Sequence, residues 1–180
     1  LNITDEIITI PEFNNEEVMM TWEHPLMKAK ADFVCQDGGD ILEMGFGLGI
    51  SASYIQANKP ASHTIVEIHP QVYLNALEWA ENKPNTTILF GDWYDLFLKK
   101  KLPEVDGVLF DTHRDPNMKL LPELVEELLR KDGKFTYWNG VGYPKDSLRL
   151  NCELEAISCN PPEDCYYPYK TYYMPKYLKK

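Results

Sequence analysis

No apolar run in this chain approaches the roughly 20 residues that a helix needs to cross a bilayer, so a membrane protein is not expected. The opening stretch, Leu1 to Pro11, carries Asp5 and Glu6 and lacks the basic-then-apolar order of a signal peptide. Cysteine is sparse: Cys35, Cys152, Cys159 and Cys165 form no CxxC pair and no zinc spacing, so no metal site is expected. A reduced, cytoplasmic protein with incidental thiols is the expectation, with disulfides among Cys152, Cys159 and Cys165 the lesser alternative. Positive charge is also scarce. The 18 Lys and Arg stand against 28 Asp and Glu, a formal net charge of −10, whereas a nucleic-acid binder needs a basic surface. A negative field would draw in a cationic small molecule or a basic peptide, although an acidic surface that merely keeps the protein soluble explains it as well. There is no internal repeat, low-complexity tract or Gly/Ser linker, and 180 residues are one domain's worth of chain.

What is present is an alternation of strands and helices. Asn14-Asn15-Glu16-Glu17 offers a helix N-cap with acids in the first turn, and a mixed helical segment is expected from there through Cys35, bent or broken at Pro25. Asp40 to Met44 reads as a strand and Ile50 to Ala57 as a helix. His63 to Ile68 is a β-branched run, and Pro70 then opens a helix running to Glu81. Thr86 to Phe90 is a strand, Trp93 to Lys101 a short helix, and Val105 to Phe110 an apolar strand suited to burial in a parallel sheet. Met118 to Lys131 is expected to be helical, with Leu120, Leu121, Leu124, Val125, Leu128 and Leu129 on one face. Lys134 to Trp138 follows as a fifth strand. Cys152 to Ser158 and Tyr169 to Met174 then read as two strands with no helix between them. The pattern implies an α/β fold: a single doubly wound, Rossmann-like sheet, mostly parallel, with an antiparallel edge strand.

Glu43-Met44-Gly45-Phe46-Gly47-Leu48-Gly49 follows a predicted strand and opens a predicted helix, the setting of a cofactor-binding glycine loop. The spacing is acid-x-Gly-x-Gly-x-Gly rather than the dinucleotide fingerprint, which would want a glycine where Ile50 stands. Glycines let the backbone turn sharply and approach a ligand closely. Glu67 ends the second strand 22 residues after Gly45, near the ~20-residue offset at which an acid meets a ribose hydroxyl pair; a solvated acid at a strand end is the plain alternative. Ile68 follows it. Gly91-Asp92-Trp93 ends the third strand, where Asp92 and Trp93 are placed for an adenine amino group and ring face. Taken alone, Trp93 reads more readily as a core or rim aromatic.

Together these features resemble the class I S-adenosylmethionine-dependent methyltransferases, over about Asp40 to Trp138. A narrower resemblance covers most of the chain. Met19-Met20-Thr21-Trp22-Glu23-His24-Pro25-Leu26-Met27, Glu43-Met44-Gly45-Phe46-Gly47, Phe110-Asp111-Thr112 and Pro161-Pro162-Glu163-Asp164-Cys165-Tyr166-Tyr167 are similar to guanidinoacetate N-methyltransferase and the related fungal-type protein arginine N-methyltransferase. The resemblance implies S-adenosyl-L-methionine as cofactor, with S-adenosyl-L-homocysteine as product, and a methyl group moved to a guanidino nitrogen. It implies cofactor contacts from Met20, Met27, Glu43, Gly45, Phe46, Gly47, Gly49, Glu67, Ile68, Asp92 and Trp93. It makes Glu23 and Asp111 the substrate carboxylates, Asp111 the proton acceptor, and Thr112 their neighbour. The chemistry agrees: carboxylates recognise a planar cation through paired, charge-assisted hydrogen bonds, and an adjacent carboxylate can take the proton that must leave as the N–C bond forms.

Three departures qualify the resemblance. His113 stands where the family has a tyrosine after Asp-Thr. Only 18 residues precede Met19, so a shortened N-terminal lid is expected, with residues 1–35 a helical lid segment and 36–180 the methyltransferase domain. The 13 residues from Asn139 to Asn151, with Gly140, Gly142 and Pro144 among them, can hold little more than a turn where the family has a helix. A homodimer covering the face left open is a further expectation. A small cationic guanidino compound is the first acceptor expected. A protein arginine, some other amine, and a catalytically silent cofactor-binding or interaction subunit are the rivals. The six tyrosines between Tyr166 and Tyr177 read first as edge packing, with an aromatic wall near a cationic substrate or the sulfonium as the sharper alternative. His24, His63 and His69 show no metal spacing.

Overall fold

The computed structural model describes residues 1–11 and 16–180; Asn14 and Asn15 of the expected N-cap lie outside the described residues. Among the described residues, ten strands and five α-helices follow one another as β1 Asn2–Ile3, β2 Ile7–Ile10, β3 Glu16–Met20, α1 His24–Val34, β4 Asp40–Met44, α2 Ile50–Ala57, β5 Ser62–Glu67, α3 Pro70–Ala80, β6 Thr86–Phe90, α4 Trp93–Leu98, β7 Val105–Phe110, α5 Leu121–Leu128, β8 Leu129–Tyr137, β9 Glu153–Ser158 and β10 Thr171–Leu178. Seven strands form the central sheet in the order β6-β5-β4-β7-β8-β10-β9, and β1-β2-β3 make a separate antiparallel ribbon. The pairs β4–β5, β5–β6, β4–β7 and β7–β8 are parallel, while β10 is antiparallel to both β8 and β9. This is the doubly wound sheet with an antiparallel edge that the alternation implies. No helix among the described residues is long and apolar enough to cross a membrane, and all four cysteines are free thiols.

The core lies on both faces of the sheet. On one, Leu42, Met44, Val108, Phe110, Phe135 and Tyr137 meet Leu121, Leu124, Val125 and Leu128 of α5. On the other, Ala31 and Val34 of α1 and Ile55 of α2 cover Ile41 and Leu109. Helix α1 comes very close to β7. A Cβ at Gly107 would lie 2.5 Å from the Val34 carbonyl oxygen and 2.7 Å from Ile41 Cδ1.

Several expectations are corrected. Glu16 to Met20 is a strand, not helix: Ile7 faces Met20 and Ile10 faces Glu16 across a bulged antiparallel ladder, and the β-branched Ile7–Ile10 edge captures the segment. Pro25 does not break a helix; it sits in the first turn of α1, where a missing N–H costs nothing. The helix expected over Met118–Lys131 is a 3-10 turn at Met118–Leu120 followed by α5, which ends at Leu128. Leu129 is drawn into β8 opposite Val105, ahead of a register shift, and Arg130 reaches Asp40 and Asp106 at 2.8 and 2.7 Å. Helix α4 stops at Leu98, and Lys100 takes a left-handed conformation just beyond it (φ 54°). Between β8 and β9 there is no helix. Asn139 accepts from Ser147 Oγ at 2.7 Å and Asp146 accepts from Tyr137 Oη at 2.9 Å, which lays Leu148 and Leu150 against the core.

The Gly107 contact yields a stability test. Gly107→Ala forces a methyl into the α1 backbone and is expected to cost about 1–3 kcal/mol, measured by urea unfolding.

Candidate active site

The strand order reverses between β4 and β7, which opens a crevice at the carboxyl ends of the strands. It holds a cavity of about 460 Å³, within the roughly 300–1,000 Å³ range of small-molecule sites. Its floor is the turn after β4. Gly45 (φ 89°) donates to the Val66 carbonyl at 2.9 Å, and a Cβ there would lie 2.1 Å from the carbonyl oxygen of Asp111. Only glycine fits that approach. Glu67, at the end of β5, braces the turn: Oε2 accepts from the Phe46 N–H at 2.9 Å and Oε1 from the His69 N–H at 2.7 Å. A carboxylate has about four acceptor positions, so Glu67 keeps capacity toward the cavity it lines.

The roof is the β2–β3 ribbon, which contributes Ile8, Ile10, Val18 and Met19. The Leu48 N–H points at Met19 Sδ from 3.2 Å, fastening roof to floor. Two surface contacts close the sides. Arg114 forks onto Glu16 through Nε and Nη2 at 2.9 and 2.7 Å, and Glu17 accepts from the Tyr166 N–H at 2.8 Å.

The end nearest α1 carries the charge. Glu23 closes the 3-10 turn Thr21–Glu23 and is only 2% exposed. Its Oε1 accepts from the Met20 N–H at 2.7 Å, and its carboxylate hydrogen-bonds the Tyr166 side chain. Burial, and then the charge of Asp111, push the Glu23 pKa from 4.5 up to about 7, against the two hydrogen bonds and Lys30. Tyr166 is 38% exposed overall, yet its hydroxyl is buried against Glu23, and its pKa is raised by that burial and by the two carboxylates. Asp111, at the end of β7, lines the cavity and binds Lys30 Nζ through Oδ2 at 2.9 Å. Lys30 lies fully buried over the rings of Trp138 and Tyr172, at 4.7 and 5.4 Å from their centroids. Beside Asp111, His113 has its pKa lowered by burial, with Glu16 opposing.

Of the residues expected at a site, Gly45, Gly47, Glu67, Ile68, Asp92, Trp93, Asp111 and Thr112 line the one cavity. Glu23 stands one hydrogen bond behind its wall, through Tyr166. Others do not line it. Met27 is buried with Met19 and Ile50, and it is Met19 rather than Met20 that faces the cavity, because β3 seats Met19 on the glycine turn, where its Sδ meets the Leu48 N–H. Glu43 is fully buried, accepting from Ser51 Oγ and from His63 Nε2 at 2.9 Å, and so braces β4, α2 and β5 from behind. Phe46 packs edge-on against Trp79, and Gly49 (φ 72°) caps α2 with Phe46 beneath it. Asp92 caps α4 by accepting from Tyr94 N–H at 2.7 Å. Trp93 is 4% exposed, wedged against Phe110, with its indole N–H on Asp115 Oδ2 at 2.5 Å, so it offers little ring face for stacking. Thr112 also donates to Asp115, at 3.0 Å.

Sequence reasoning did not single out Met19, Lys30, Asp115 or Trp138, and it set Tyr166 among aromatics read first as edge packing and only second as a wall near a cationic substrate. Asp115 alone carried a local sign. Its Oδ1 accepts from the Asn117 N–H at 2.8 Å, the side-chain turn that Asp-Pro-Asn favours.

Comparison with known proteins fits this geometry. The sequence profile described as guanidinoacetate N-methyltransferase matches residues 4–145. Protein arginine N-methyltransferase 2 of Yarrowia lipolytica is 36% identical over 155 residues, 79% of this chain and 32% of that protein. The protein of the same name from Saccharomyces cerevisiae is 34% identical over 154 residues, 79% of this chain and 37% of that one. The chain thus spans about a third of the length of these curated relatives. In fold it is similar to spermidine synthase from Thermotoga maritima (TM-score 0.70, 12% identity, covering 93% of this chain and 64% of that one) and to N-methyltransferase NodS from Bradyrhizobium japonicum (TM-score 0.67, 10% identity, 88% and 96%).

The raised Glu23 pKa has a stability consequence. The native state holds this proton more tightly than the unfolded chain, so the contribution is whole below pH 4.5 and is lost as pH rises through about 7. Between pH 5 and 8 the wild type is expected to lose about 2–3 kcal/mol from this group. Glu23→Gln should lack that loss and be the more stable protein at pH 8, as read by urea unfolding at the two pH values.

Proposed function

The chain belongs to the guanidinoacetate N-methyltransferase family, a class I S-adenosylmethionine-dependent group, and from that membership we propose that it moves a methyl group from S-adenosylmethionine to a guanidino nitrogen. The observation that carries the reading is the meeting of two carboxylates, Asp111 in the cavity wall and Glu23 behind Tyr166, at one end of a cavity whose other end is a glycine turn braced by Glu67. The residues present suit the cofactor. Glu67 retains acceptor capacity for a ribose diol, the backbone of Gly45 and Gly47 gives close approach for the amino-acid part, and Ile68 and Asp92 flank the place for the base. When bound, the sulfonium supplies an electrophilic methyl group.

The chain's own residues have three tasks. Asp111 holds the acceptor cation by charge-assisted hydrogen bonds. The backbone approach of Gly45 to Asp111 fixes the acceptor relative to the glycine turn, and such positioning is worth roughly 7–11 kcal/mol of barrier in favourable systems. Glu23 takes the leaving proton through the Tyr166 hydroxyl, because a base works best with a pKa near the working pH. This shifts the proton acceptor from Asp111, which the sequence resemblance nominates, to Glu23.

The relatives named protein arginine N-methyltransferase 2 favour an arginine side chain as carrier of the guanidino group. A small guanidino acid is the second reading, favoured by the family description. Incubating a lysate with labelled S-adenosylmethionine separates them: label in the protein fraction supports the first, label in the filtrate the second. Asp111→Asn is expected to reduce kcat/KM by at least about a hundredfold, and Glu23→Gln to abolish a rising limb near pH 7 in its pH profile.

A further inference from the structure

Lysine is almost never fully buried without a partner, and Lys30 is the fully buried lysine of this site. It leaves α1 two residues after Lys28, which is exposed and paired with Asp32 one turn on. A step of two residues turns the side chain to the opposite side of a helix. Lys30 therefore points inward, where its ammonium meets Asp111 Oδ2 at 2.9 Å and lies over Trp138 and Tyr172 at 4.7 and 5.4 Å. A carboxylate and aromatic faces are the groups with which proteins hold a foreign cation. Asp111 and Trp138 also line the cavity. The groups suited to hold an incoming cation thus already hold one of the chain's own.

We propose that Lys30 is a specificity-determining residue whose ammonium group competes with a cationic acceptor for Asp111. The inference rests on the guanidino reading above and deepens it. A guanidinium that binds a carboxylate as a fork needs both oxygens, and the Lys30 ammonium already takes one acceptor position of Oδ2 and sets a like charge beside the place the fork would occupy. The Lys30–Asp111 pair also cancels its own charge, so of the two carboxylates at this end of the cavity only Glu23 is left to answer the charge of the acceptor. The site therefore takes a cation more weakly than two free carboxylates would, and a neutral ligand of the same shape is unaffected by the competition.

The test is titration calorimetry at pH 8, with S-adenosylhomocysteine saturating, of N-acetyl-arginine amide and its neutral isostere N-acetyl-citrulline amide. Wild type is compared with Lys30→Met and Lys30→Gln; the glutamine keeps a hydrogen-bond donor for Asp111 and removes the charge. Both variants are expected to bind the arginine probe at least tenfold more tightly than wild type and the citrulline probe within twofold of it. Unchanged S-adenosylhomocysteine affinity would show that both variants are folded. Weaker arginine binding in Lys30→Met that Lys30→Gln restores would overturn the proposal, leaving Lys30 as a support that merely holds Asp111 in place. So would equal shifts for both probes, no shift for either, or variants that fail to bind S-adenosylhomocysteine when wild type does. Wild type that binds S-adenosylhomocysteine but neither probe would instead overturn the guanidino reading, and the proposal with it.

Discussion

The backbone of Gly45 passes so close to the carbonyl oxygen of Asp111 that no side chain can stand between them, and the site depends on that approach. It joins the ends of β4 and β7, neighbours in the sheet, at the place where the chain order reverses. The hydrogen bonds from Asp111 N–H to Met44 O and from Gly45 N–H to Val66 O, each 2.9 Å, carry the sheet's regular spacing one residue past its strands. The loop that would meet a cofactor and the carboxylate that would meet an acceptor are therefore parts of one rigid body. The separation of their backbones is set by the sheet, and Lys30 holds the carboxylate itself.

The buried charges are arranged on top of that frame. Glu43 is braced from two sides by Ser51 and His63 and stays out of the cavity. Glu67 serves the loop and the cavity together. Glu23 is placed where burial and Asp111 both disfavour its ionised form, and Asp111 is paired with Lys30. Four carboxylates near one crevice thus have four different environments, and each environment follows from which neighbour supplies the proton or the charge. That separation of environments divides acids spent on the fold from those at the cavity, and it is the arrangement that acid–base chemistry would need.

Much of this was legible in the sequence, for identifiable reasons. The strands Asp40–Met44, Thr86–Phe90 and Val105–Phe110 are short apolar or β-branched runs with clear punctuation, and the structure has them at those bounds. The glycine turn and Glu67 could be placed from their positions at strand ends, and Asp111 from the resemblance carried by Phe110-Asp111-Thr112. What was not legible depends on distant partners. Glu16–Met20 has no alternation of its own and becomes a strand only because Ile7–Ile10 pairs with it. Leu129 continues the apolar stripe of α5, yet Val105 takes it into the sheet. Which methionine faces the cavity is set by the seating of β3 on the glycine turn, which no local pattern records. Lys30 and Lys28 are indistinguishable as letters, and only the packing of α1 on the sheet separates a buried cation from a solvated one.

The roof over the cavity is built differently from the floor. Its strands have two, four and five residues, and among its fastenings the Arg114–Glu16 ion pair lies at the surface, a kind worth about 0–1 kcal/mol. Short elements outside a main sheet are the kind that open locally at a lower free energy than global unfolding, which would leave the seven-stranded sheet with its carboxylates intact. Passage of a ligand past the ribbon and endurance of the core would thereby rest on separate parts of the chain. Hardening the sheet core would raise the melting temperature without slowing the passage of small molecules, and altering the ribbon would do the reverse.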